Sequence, residues 1–85
     1  TLLYILHLPA QQNDKLDSLF NAYSTLSDNL QKVKTAKEIF NHARQSNPEV
    51  ALAYLHKGLK LSKAIGAKED EATAMKNLGL YYKLK

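Results

Sequence analysis

Apolar residues recur along this chain at intervals of three and four, the spacing that places side chains on one face of an α-helix. Four such stretches follow one another. Leu16, Leu19, Phe20, Tyr23, Leu26 and Leu30 form the first stripe, on a helix over Lys15 to Leu30 with Asn13 or Asp14 as N-cap. Ser27-Asp28-Asn29 breaks it, and Asp28, with Gln31 three residues on, is the expected cap of a second helix reaching Gln45. Val33, Ala36, Ile39, Phe40 and Ala43 mark its inner face. A third helix starts at Asn47-Pro48-Glu49: Asn47 caps exposed amides, Pro48 suits the first helical position, and Glu49 favours the dipole. Its stripe is Ala51, Tyr54, Leu55, Gly58, Ser62 and Ile65, and Gly66 ends it in the left-handed conformation. The fourth opens on Glu69-Asp70-Glu71 and carries Met75, Leu78, Gly79 and Tyr82 on the face expected to be buried.

The pattern predicts an all-α chain of about four helices in antiparallel helix-turn-helix pairs. Glycine inside a helix costs about 1 kcal/mol relative to alanine, so Gly58 and Gly79 imply close helix-helix approach. A leucine at Gly79 is accordingly expected to overfill a contact. The core positions expected from this argument are Ala51, Leu55, Gly58, Leu59, Met75, Leu78, Gly79 and Tyr82.

Eighty-five residues make one small domain. The chain has no cysteine, which removes thiolate nucleophiles, disulfides and the usual structural zinc sites. It also lacks a nucleophile elbow, a phosphate-cradling glycine loop and a paired-histidine metal motif. A non-catalytic protein without metal or cofactor is the expectation. The 12 basic and 8 acidic residues give a net charge of +4. They are spread through the helices with no basic block or interleaved aromatics, so no nucleic-acid partner is expected.

Residues 1–10 form a short apolar run ending in Pro9-Ala10, the form of a signal-peptide core with cleavage after Ala10. Export, to a bacterial periplasm, is the expectation from it; a strand or helical turn packed on the rest, in a cytoplasmic protein, is the alternative. Residues 11–46 then hold the N-terminal helices, and residues 47–85 the most regular unit. No run approaches the roughly 20 apolar residues of a membrane span.

Ala74-Met75-Lys76-Asn77-Leu78-Gly79-Leu80-Tyr81-Tyr82 resembles the first helix of a tetratricopeptide repeat, and Ala51, Leu55, Gly58 and Leu59 resemble the second helix of the repeat before it. Ile39 and Leu78 occupy comparable places 39 residues apart, against a usual period of about 34. Phe40 and Ala43 replace the expected glycine and tyrosine, so the earlier unit resembles a degenerate or capping repeat. In its order of segments the chain is similar to the exported sensor region of Bacteroidetes-type tetratricopeptide sensor histidine kinases and related transcriptional regulators. That resemblance implies a solenoid fragment that binds protein or an extended peptide within a larger signalling protein.

The resemblance further implies that first helices line a concave surface. The outward residues there are Lys37, Asn41 and Arg44 on the second helix and Lys76, Asn77, Leu80 and Lys83 on the fourth, a basic, hydrogen-bonding groove suited to an extended or acidic peptide. A rival from another class is a histidine phosphotransfer domain with His56 as phosphoacceptor. That family carries Lys-Gly three and four residues after its histidine, where this chain has Leu59 and Lys60; Lys57-Gly58 comes too early.

Overall fold

Local chemistry sets most of the helix ends. In the computed structural model, which describes residues 2–83 and side chains from Asp14 onward, the elements are α1 (Leu2–Thr25), α2 (Leu30–Ala43), α3 (Pro48–Ile65) and α4 (Lys68–Lys83). Asn47 accepts a hydrogen bond from the Val50 amide at 3.3 Å, and Pro48 opens α3 where its missing N–H would have had no partner. Gly66, at φ 75°, closes α3. Its N–H and that of Ala67 return to the carbonyls of Lys63 and Ser62, so two end carbonyls are satisfied by a left-handed turn that only glycine adopts cheaply. Three carboxylates occupy the first turn of α4, where the helix dipole favours them.

Both ends of α1 and both ends of α2 differ from the sequence expectation, α2 closing at Ala43 rather than Gln45. Helix α1 begins at Leu2 rather than after Asn13 or Asp14, running on through residues 2–10, and ends at Thr25 rather than Leu30. The hydroxyls of Ser24 and Thr25 bond back to the Asn21 carbonyl at its end. The cap of α2 is Asn29, whose side chain accepts from the Lys32 amide at 3.2 Å; Asp28 instead pairs with the Lys32 ammonium at 3.3 Å. Asn and Asp cap equally well, so the choice rests on the backbone path out of α1.

The helices stack in chain order, α1 on α2, α2 on α3 and α3 on α4, with a lighter contact between α2 and α4. Among the described residues α1 and α4 do not meet, so the stack is open rather than closed into a bundle. Its extents, 49 × 32 × 16 Å, are those of a slab.

The core lies where α2, α3 and α4 converge: Phe40, Ala43, Ala51, Leu55 and Ala74 are buried together, with Leu16, Val50, Leu59, Leu78 and Tyr81 packed around them. All five expected α2 residues are buried. Burying a side chain of the size of Phe40 stabilises by about 1.5–3 kcal/mol. Small residues set the approach of α2 and α3: a Cβ on Gly58 would stand 3.3 Å from the Cβ of Ala36. The buried hydroxyls of Thr35 and Ser62 donate to carbonyls one turn back, those of Gln31 and Leu59, and among the described residues no buried side-chain polar atom lacks a partner.

The inner face of α4 differs from the expected one. Met75 and Tyr82 are 54% and 57% exposed, and a Cβ added to Gly79 would meet nothing within 4 Å. Helix α4 turns Ala74, Leu78 and Tyr81 toward α3. Of the expected stripe only Leu78 packs. Residues 74 and 75 lie about 100° apart on a helix, so either of two overlapping stripes could face inward. Ala74 lets the backbones close on Leu55, and Tyr81 reaches the Pro48 carbonyl with its hydroxyl at 3.4 Å. Leu30 and Ile65, at the ends of their stripes, are also exposed.

Candidate functional site

Between α2 and α4, above α3, the lighter contact leaves a groove. Val33 and Lys37 form one wall, Asp70, Thr73, Ala74 and Asn77 the other, and Tyr54, Leu55 and Gly58 the floor. Spacings of three, four and seven explain the walls: Asp70, Thr73, Ala74 and Asn77 share one side of α4, as Val33 and Lys37 share one side of α2. Gly58 gives the floor backbone only, and Ala36 of α2 closes the place its side chain would take. The enclosed space amounts to about 20 Å³, room for a water-sized or methyl-sized group. Pockets that enclose small molecules are some 300–1,000 Å³, so this groove can only be read along its surface.

Charge across the groove is mixed. The Lys34 ammonium donates to the Asp70 carboxylate at 3.1 Å, tying α2 to α4 at one end of the pocket. Asp70 is mostly covered and Lys34 half-exposed. Lys37 stands exposed on the α2 wall, and Asn77, half-buried opposite, offers both a donor and an acceptor.

Of the residues expected to form a binding groove, the structure brings Lys37 and Asn77 to one pocket. Asn41 is exposed and lies outside it, one turn beyond Lys37. The Arg44 guanidinium lies 5.4 Å from the centroid of the Phe40 ring, covering the core edge. Lys76, Leu80 and Lys83 are exposed on α4 outside the pocket. The wall residues Val33, Asp70 and Thr73, and Tyr54 on the floor, were not among those expected. Asp70 read from sequence as a dipole residue, yet its spacing of seven from Asn77 was the available signal.

Tyr54 is held from the far side by an aromatic group. Its ring lies 5.4 Å from that of Phe20 and 5.1 Å, edge-on, from that of Tyr23, so α1 buttresses α3. Lys57 stands 5.7 Å over the Tyr54 ring and Lys32 4.8 Å over that of Tyr23. Burial raises the Tyr23 pKa above the usual tyrosine value, with Tyr54 and the Asp28 carboxylate adding to it.

His56 is exposed on α3 beside Lys57, and Lys60 follows one turn on. Among the described residues no three histidine, aspartate or glutamate side chains are placed to hold a metal ion, and no helix is long and apolar enough to cross a membrane. No family model, curated protein or solved structure matches the chain.

Proposed function

We propose that this chain is a non-catalytic binding module of the tetratricopeptide type, the sensor or interaction part of a larger signalling protein, and that the groove between α2 and α4 takes an extended peptide segment. The observation that carries this reading is the meeting of Lys37 and Asn77, from two different helices, over an apolar floor too small to enclose a small molecule. Asn77 suits a peptide backbone, since its amide can donate to a carbonyl and accept from an N–H at once. Lys37 attracts an acidic side chain, and Lys76 and Lys83 extend positive charge along the exposed part of α4. The Lys34–Asp70 pair makes the pocket less basic than its rim. Acidic residues in the ligand therefore belong on the rim, with a small side chain over Gly58.

Export belongs to the same proposal and rests on the form of residues 1–10. Cleavage after Ala10 would shorten α1 while leaving Leu16, which packs against the core, in place. The phosphotransfer alternative has a weaker footing: its bundle must close, whereas this stack is open, and His56 lacks the Lys-Gly pair at the spacing it needs.

Amide chemical-shift mapping with a pooled set of acidic dodecapeptides tests the groove. Shifts confined to Val33, Lys37, Thr73, Ala74 and Asn77, and abolished by Asn77→Ala without change in helicity, are expected. Shifts centred on α1, or none, would remove the reading.

A further inference from the structure

Tyr54 belongs to two places at once. Its ring forms part of the groove floor, and on the far side it rests against Phe20 at 5.4 Å and Tyr23 at 5.1 Å, both from α1. The backbone of α1 approaches α2 alone: among the described residues no Cα of α1 comes within 8 Å of one in α3 or α4. Side chains therefore carry α1 to α3, the rings of Phe20 and Tyr23 among them. Tyr23 is itself tied to the start of α2, where Lys32 stands 4.8 Å over its ring. The Tyr54 hydroxyl has no hydrogen-bond partner among the described residues, so ring contacts and the Lys57 ammonium beside it hold the side chain.

A tyrosine occupies one of a few staggered rotamers, each sending the ring in a different direction. Phe20 and Tyr23 fill the space on the α1 side, into which Tyr54 could otherwise turn away from the groove. We infer that these two α1 residues are positioning residues for the groove, holding Tyr54 in the rotamer that completes its floor and so linking the docking of α1 to the binding of a segment there. The inference rests on the groove's being a peptide site. Linkage is reciprocal. A segment that needs the Tyr54 ring in place binds more weakly when α1 is undocked and, once bound, holds α1 down by the same factor. Helix α1 lies at one end of the stack on a single helix, the position from which an element opens without the rest.

NMR of the full chain without ligand tests the positioning. The χ1 couplings of Tyr54 should report one rotamer in the parent and in Tyr23→Phe, which keeps the ring, and averaging in Phe20→Leu and Tyr23→Leu. One unchanged rotamer in both leucine variants would overturn the inference. The linkage is read with the tightest-binding member of the acidic dodecapeptide pool. Its affinity should fall about fivefold or more in each leucine variant, the lower end of usual coupling between sites, and hold in Tyr23→Phe. In the parent, saturating peptide should slow amide exchange over residues 16–25 by a similar factor, with amide shifts still confined to the groove. Exchange there that ignores the peptide sinks the linkage, and because it is read on the unaltered chain it decides even if a leucine variant loses helicity. A pool in which nothing binds the parent removes the groove reading, whereas the Tyr54 rotamer still decides whether α1 positions the floor.

Discussion

Gly58 of α3 lies against Ala36 of α2 so closely that a Cβ on the glycine would stand 3.3 Å from the alanine Cβ. That contact sets the separation of the two most extensively packed helices. Replacing Gly58 by leucine should lower stability by about 1–3 kcal/mol through overpacking. Thermal unfolding followed by circular dichroism would show it, and an unchanged midpoint would mean the helices have room to part.

Gly79 has the opposite prospect. Its surroundings are open, so Gly79→Ala should stabilise the chain by about 0.5–1 kcal/mol, the helix preference of alanine over glycine. Loss of stability would restore the expectation, drawn from the stripe Met75, Leu78, Gly79 and Tyr82, that this glycine sits in a packed contact.

Phe40 is 2% exposed at the centre of the core. Truncation to alanine should cost about 3–5 kcal/mol. A single small domain has about 5–15 kcal/mol in all, so the urea midpoint should fall by a large fraction of its value.

The caps separate two neighbouring residues. Asn29→Ala should cost about 1 kcal/mol, because the Lys32 amide loses its acceptor. Asp28→Ala removes only an exposed pair to Lys32 and should change stability by less than about 0.5 kcal/mol. Equal losses at the two sites would shift the start of α2 by one residue.

Tyr23 predicts an alkaline limit. Its pKa in the folded chain is raised, chiefly by burial, so the unfolded chain loses that proton first as pH rises. The stability due to the neutral phenol is whole below the unfolded value of about 10 and is lost as pH climbs through the folded one. Tyr23→Phe should therefore show a shallower fall in melting temperature above about pH 10 than the parent. Identical slopes would mean that Tyr23 is solvated.

How much was legible can be followed residue by residue. Asn47-Pro48-Glu49 and Gly66 announced both ends of α3, since capping depends on neighbours within one turn. Val33, Ala36, Ile39, Phe40 and Ala43 announced the inner face of α2, a helix covered on several sides, where any apolar stripe is buried. Helix α4 is covered mainly by α3. Its sequence carries two overlapping apolar stripes, and spacing alone does not say which one turns inward. The groove was half legible for the same reason: Lys37 and Asn77 were expected as outward residues, whereas Asp70 could join them only once Lys34 had been brought across from α2.

Sequence by itself determined that the chain is helical and where α3 and α4 begin, because those features follow from interactions within a turn; the cost of glycine in a helix pointed equally to Gly58, which is packed, and to Gly79, which is not. Only the tertiary structure decided that Ala74, Leu78 and Tyr81 face inward while Met75, Gly79 and Tyr82 face out, and that the pocket is closed by a carboxylate as well as a lysine. Those outcomes turn on how far one helix rotates against the next, and that rotation is fixed by the fit of side chains distant in sequence.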